Sequence, residues 1–172
     1  MKRKIWLLGV VAIAFTGLGI YASLDPSQPP SQASSIAALL TQSLPDINGQ
    51  PQNLGQWKKR KLIVNFWATW CAPCVQEMPE LSALQSEITS KNIQIIGVGI
   101  DNAANITQFS TKHQINYPLY VAGPEAVTLL SQFGNPAGGL PFTLLIGEDG
   151  QIKRTYLGRL RLEQLRRDLQ GL

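Results

Sequence analysis

The chain is poor in the residues that bind metals and build covalent staples. It has two cysteines and one histidine among 172 residues. Two cysteines cannot form a disulfide-rich scaffold. With a single histidine they also fall short of a four-ligand zinc site made of Cys and His alone. One histidine excludes a His-based metal cage and a two-His mechanism within one chain. Charge is sparse as well: 15% of residues are charged against 44% hydrophobic. That balance excludes a disordered or polyampholyte chain. No internal repeat is visible. The length allows one ordinary domain with a tail or anchor, but not two full domains.

What charge there is sits unevenly. The net value of +4, taken whole, points to nucleic acid or an anionic membrane. Three of the fifteen basic residues are Lys2, Arg3 and Lys4, which leaves 12 basic against 11 acidic in the rest. The remainder is close to neutral, so nucleic acid is not expected as a partner. The run Lys58-Lys59-Arg60-Lys61 reads as a solvated turn.

Behind the basic terminus, residues 5–22 carry no charge. Eighteen helical residues span about 27 Å, close to a bilayer core. The Lys/Arg cluster stays cytoplasmic, which places the rest of the chain outside the cytoplasm. Residues 1–24 are therefore expected to be a single-pass signal anchor in the cytoplasmic membrane. The alternative is a secretory signal cleaved after Ala22, leaving a soluble periplasmic protein. The length of the segment and Ile20 at the third position before that cut favour the anchor. Residues 25–42 hold Pro26, Pro29 and Pro30 among Ser, Gln and Ala and read as a linker. The compact domain is expected over residues 43–172, a size that needs no disulfide for stability.

Inside that domain, residues 62–67 and 93–100 are short apolar runs that read as buried strands. Between them Met78, Leu81, Leu84 and Ile88 recur at helical spacing. Strand, helix and strand with both strands buried imply a parallel pair with a right-handed crossover. Asp101 or Asn102 is placed to cap a second helix bearing Ile106, Phe109 and His113. His113 reads as a structural residue of that face. Pro118 to Val121 is a short strand candidate, and Ala126, Leu129, Leu130 and Phe133 form another helical stripe. Glu148-Asp149-Gly150 between two strand-like runs signals a hairpin. Leu162, Leu165 and Leu169 mark a closing helix. The pattern is an α/β domain with a mixed sheet.

The stretch that carries chemistry is Trp67-Ala68-Thr69-Trp70-Cys71-Ala72-Pro73-Cys74, where a strand is expected to end and a helix to begin. With no second Cys pair, a zinc site is not supported. The two cysteines are redox partners of each other or of another chain. A permanent staple is the plain alternative, but so short a loop gains little from loop entropy. At a helix N-terminus the Cys71 thiol meets free N–H groups and the helix dipole, both of which favour thiolate. Cys74, one turn inward, is placed to attack a mixed disulfide formed at Cys71. Pro73 stiffens the turn between them. Glu77, three residues beyond Cys74, is placed to exchange a proton with the thiols or to be an ordinary surface Glu. Pro79 falls inside the helix. In Gly138-Gly139-Leu140-Pro141-Phe142 a proline precedes a strand, and the sequence leaves its peptide isomer open.

These motifs resemble thioredoxin-like proteins, and most closely the membrane-anchored TlpA/ResA-like group, which includes the CcmG-like cytochrome c maturation proteins. Residues 65–74 resemble the active-site strand and turn. Residues 43–51 resemble that group's N-terminal hairpin, and residues 139–143 its cis-proline loop. The resemblance implies a thioredoxin-like fold, a central mixed β-sheet flanked by helices. It also implies an N-terminal β-hairpin and a central αβ insertion within residues 101–139. It implies a cis bond at Pro141, substrate pairing at Leu140 and an acid–base role for Glu77. Trp70, Ala72, Pro73, Leu140 and Pro141 would contact substrate. The implied activity is extracytoplasmic thiol–disulfide exchange through Cys71 and Cys74, with no cofactor beyond that pair. The implied direction is reduction of oxidised exported proteins, with apocytochrome c the family's best-known substrate class. A membrane electron donor of the thiol–disulfide relay type would supply the electrons. One departure stands out: cytosolic thioredoxins have a buried Asp where this chain has Asn65. Oxidase or isomerase action remains open, because direction follows potential. A thiol peroxidase is disfavoured by Ala68, where that chemistry normally has Thr. A non-catalytic redox or binding module is the remaining alternative.

Overall fold

The computed structural model describes residues 32–172. It begins with helix α1 (Gln32–Leu39) and a small hairpin of β1 (Ser43–Pro45) and β2 (Pro51–Asn53). The main sheet then alternates with helices: β3 (Lys61–Trp67), α2 (Ala72–Ile88), β4 (Ile93–Gly99), α3 (Ala103–His113) and β5 (Leu119–Val121). A 3₁₀ stretch (Pro124–Phe133), β6 (Phe142–Ile146), β7 (Ile152–Leu157) and α4 (Leu162–Gln170) complete it.

The five-stranded sheet has the order β5-β4-β3-β6-β7. β4 is parallel to β3 and to β5, whereas β6 is antiparallel to both β3 and β7. This is the mixed α/β architecture expected from the sequence. β3 is central and buried over all but its first residue. Its alternating side chains face two cores. Ile63 and Trp67 join Met78, Leu81 and Leu84 of α2, Ile106 and Phe109 of α3, and Leu165 and Leu169 of α4. Leu62, Val64 and Phe66 join Ile36 and Leu39 of α1, with Leu54, Leu130 and Phe133. Fully burying each such Leu, Ile or Phe is worth about 1.5–3 kcal/mol.

The N-terminal hairpin docks at the β5 edge. Asp46 bridges to Tyr120, and the Trp57 indole N–H donates to the Tyr120 hydroxyl at 2.8 Å. The Thr107 hydroxyl of α3 donates to the Ile47 carbonyl at 2.9 Å. The β6–β7 turn carries Gly150 at φ +73°, which suits glycine. Of the basic run, Lys58, Lys59 and Arg60 form the solvent-facing turn before β3, and Lys61 is the first, half-buried residue of β3.

Two expectations need correction. The linker over residues 25–42 does not hold from residue 32 onward, where the chain forms α1. Ile36, Leu39 and Leu40 are 1%, 2% and 5% exposed, because their spacing puts them on one face against the sheet. The stripe from Ala126 to Phe133 is 3₁₀ rather than α. Val127, Leu130 and Phe133 repeat every three residues, the period at which 3₁₀ side chains stack in line. The Ala126 N–H donates to the Gly123 carbonyl, three residues back. Among the described residues no helix is long and apolar enough to cross a membrane. The anchor read over residues 1–24 lies outside the described residues, as does residues 25–31 of the linker.

Candidate active site

β3 ends at Trp67 and α2 begins at Ala72, so the four intervening residues form the turn that presents Cys71. The Cys71 N–H donates to the Ala68 carbonyl at 3.2 Å. Cys71 itself is the N-cap of α2, with extended backbone at φ −90° and ψ 99°. Its sulfur accepts the Cys74 N–H at 3.3 Å. This is the capping position in which a side-chain acceptor satisfies a free helix N–H, and here the acceptor is the Cys71 sulfur.

Cys71 and Cys74 are disulfide-bonded, with Cα atoms 5.3 Å apart. Both are buried, Cys71 at 6% exposure and Cys74 at 0%. Cys71 is the less enclosed of the two. Trp70 beside them is 69% exposed, and Ala72 and Pro73 are also exposed. Three of the residues expected to meet substrate thus form the open rim of the pair.

A clamp holds the turn from below. Asp101, just after β4, is 5% exposed. Its carboxylate accepts the Thr69 N–H at 3.3 Å and also the Thr69 hydroxyl. It accepts the Asn102 N–H at 2.7 Å and the Asn105 amide at 3.0 Å as well. Burial pushes this carboxyl up, but those hydrogen bonds together outweigh it and hold the group below the usual carboxylate range. Asn102, not Asp101, caps α3, by accepting the Asn105 N–H at 2.9 Å.

The proline loop lies across the strand end. Phe142 pairs with Phe66, so continuing the register puts Pro141 opposite Trp67. The Leu140–Pro141 bond is cis. Leu140 packs against both cores, including the one that contains Cys71 and Cys74. The Pro141 carbonyl accepts the Gly158 N–H at 2.9 Å.

Glu77 is fully buried at 0% exposure, not an ordinary surface residue of α2. Its Oε1 accepts the Asn65 amide at 2.8 Å, and its Oε2 accepts the Leu160 N–H at 2.8 Å. Burial raises its pKa above the usual Glu value, opposed by those two hydrogen bonds and by the nearby Arg159 charge. Asn65 also donates to the Thr143 hydroxyl at 2.9 Å. His113 stacks on Phe109 with ring centroids 4.3 Å apart and serves packing.

Asp101, Thr143 and the Leu160 N–H were not found from sequence as parts of the site. Thr143 faces Asn65 only through the β3–β6 register, which sequence does not reveal. Asp101 had a usable signal: it follows the end of a parallel strand, where open α/β sheets gather their functional groups.

The Redoxin family model matches residues 30–169. The thiol-disulfide oxidoreductase ResA of Geobacillus thermodenitrificans is 27% identical, over 100% of this chain and 94% of its own length. The thioredoxin-like protein YneN of Bacillus subtilis is 26% identical, over 96% and 97%. The crystal structure of a putative thiol:disulfide interchange protein DsbE from Chlorobium tepidum superposes with a TM-score of 0.66. It is 21% identical and covers 75% of this chain and 90% of that one. The fold agrees with the solved structure. The chain is a thiol–disulfide oxidoreductase with a thioredoxin-like fold.

Proposed function

The chain belongs to the Redoxin family, and on that premise we propose that it is an extracytoplasmic reductase of disulfides in exported proteins, with apocytochrome c as one candidate substrate among them. One observation carries the chemistry: the more exposed sulfur caps a helix and the buried sulfur lies one turn behind it.

The cycle starts from the reduced pair. The Cys71 thiolate, favoured by the α2 N-terminus, attacks one sulfur of a substrate disulfide. A bond forms between Cys71 and that sulfur, and the other substrate sulfur leaves as a thiolate. Cys74 loses its proton and attacks Cys71 Sγ. The substrate's second sulfur leaves, and Cys71–Cys74 closes. The substrate gains two electrons from the pair and two protons, one from Cys74 and one from solvent, and the pair is oxidised to the state seen here. Glu77 takes the proton that Cys74 loses and returns it to a departing thiolate. Burial raises its pKa above the usual Glu value, which favours holding a proton between the two transfers. The Pro141 loop, with the Leu140 backbone, pairs with the substrate strand by β-augmentation. A membrane thiol–disulfide relay restores the dithiol. Residues 5–22 hold the domain at the outer side of the cytoplasmic membrane. Direction is set by potential, with about 30 mV equal to 1.4 kcal/mol for this couple.

The test is trapping. Cys74→Ala, expressed in the native compartment, is expected to accumulate mixed disulfides through Cys71, and mass spectrometry of the adducts names the substrates. Absence of adducts, together with failure of the wild-type protein to reduce a test disulfide when given electrons, would sink the proposal.

A further inference from the structure

The cycle uses the Glu77 carboxyl but leaves unexplained the amide that faces it. Asn65 lies on the central strand and is 0% exposed, as are Glu77 and Thr143. Asn65 Nδ2 is 2.8 Å from Glu77 Oε1 and 2.9 Å from Thr143 Oγ1. Leu160 N is 2.8 Å from Glu77 Oε2. Both carboxyl oxygens therefore meet donors, the complement of an ionised carboxylate. A neutral carboxyl has an O–H to donate, and this arrangement gives it no acceptor.

The missing acceptor is on the same side chain. Asn65 Oδ1 is buried without a hydrogen-bond partner. A half-turn of the amide exchanges its oxygen and nitrogen with almost no change of shape. It puts Oδ1 where Nδ2 now sits, facing both Glu77 Oε1 and Thr143 Oγ1. There it accepts the Glu77 O–H and the Thr143 hydroxyl, which donates or accepts by rotating. Each orientation leaves one end of the amide unpartnered. The charge on Glu77 then weighs between them.

We propose that Asn65 is a positioning residue for Glu77, with a side-chain amide that reverses with the protonation state of that carboxyl and seats both forms. The inference rests on reading Glu77 as the proton carrier of the exchange. An Asp in place of Asn65 would be acceptor-only when ionised and would repel the Glu77 carboxylate. Several other charged or titratable groups face Glu77. Arg159, in the loop before α4, favours its ionised form, and Glu80 on α2 opposes it. Tyr117, buried before β5, feels its charge. The cysteines are joined in the oxidised protein and do not titrate there.

The test uses the full-length chain in mild detergent, oxidised and labelled with ¹³C and ¹⁵N. Glu77 Cδ, Asn65 Cγ and the Asn65 side-chain nitrogen are followed by NMR as pH changes. The Asn65 signals are expected to move with the Glu77 midpoint, and Glu77→Gln is expected to abolish that movement. Asn65 signals that stay flat while Glu77 titrates, or a Glu77 carboxyl that does not titrate at all, overturn the proposal.

Asn65→Leu, of similar shape, is expected to move the Glu77 midpoint upward, because the ionised form loses the stronger of the two hydrogen bonds. The pH profile of disulfide exchange should follow, with about a tenfold change in rate at fixed pH for each pH unit moved. A lower melting temperature with an unmoved midpoint would mark Asn65 as merely structural and overturn the proposal. If the amide follows Glu77 but Glu77→Gln leaves the exchange profile unchanged, the amide reversal stands and the proton-carrier reading falls.

Discussion

At the scale of single residues, the site is built from unequal environments for similar groups. The two cysteines differ in enclosure, and on the proposed cycle the less enclosed Cys71 attacks and Cys74 resolves. Two carboxyls near the motif differ in the same sense. Asp101 has enough hydrogen bonds to hold its charge, whereas burial outweighs those of Glu77. The folded pKa of Glu77 is raised, so its contribution to stability is fullest below its unfolded value and is lost as pH rises through the folded value. Glu77→Gln is therefore expected to gain stability relative to wild type over that pH window, measured by urea unfolding at a series of pH values. The same variant is expected to slow disulfide exchange by about a hundredfold near neutral pH. A stability difference that is constant with pH would count against the buried, raised carboxyl.

At the scale of elements, α2 is aimed by its attachments at both ends of the turn. β3 fixes where the turn starts, and Asp101 ties Thr69 to the end of β4. Asp101→Ala removes the acceptor for the Thr69 and Asn102 N–H groups, at a cost of about 1–3 kcal/mol. It is expected to lower exchange activity as well as stability, because the loosened turn carries Cys71. The Asp101 pKa is depressed, so its stabilisation is present above the unfolded value and is lost as pH falls through the folded one. Acid unfolding of wild type should then show a loss in that range that Asp101→Ala lacks, as measured by circular dichroism. Equal acid profiles for the two proteins would mean that the clamp does not bear on stability. The 3₁₀ stretch plays a quieter part, setting Leu130 and Phe133 into the core on the other face of the sheet.

At the scale of the molecule, helices cover both faces of one sheet, and the redox pair sits at the end of its central strand. That placement encloses Cys74 and Glu77 fully and leaves Cys71 slightly open beside the exposed Trp70. If residues 5–22 anchor the protein, the full chain will sediment with membranes, and its domain will be cut by protease added from the outer side. A chain lacking residues 1–24 will be soluble. Recovery of the full-length gene product as a shorter soluble species would favour the cleaved signal instead.

Much of this was legible along the chain because it depends on local pattern. The period of Met78, Leu81, Leu84 and Ile88 specifies α2, the β-branched runs specify β3 and β4, and the Asp-Gly turn specifies the β6–β7 hairpin. The Cys71–Cys74 spacing at a strand–helix junction points to dithiol chemistry before any fold is known. Tertiary structure decided what depends on register and enclosure. It turned Glu77 from an ambiguous helix residue into a buried acid, and it brought Asn65 and the Leu160 N–H to it from elsewhere in the chain, with Thr143 behind Asn65. It also drew α1 out of the supposed linker and into the core. Periodicity reports which face of an element is apolar. Only packing reports what that face meets, and the charge of a carboxyl depends on that meeting.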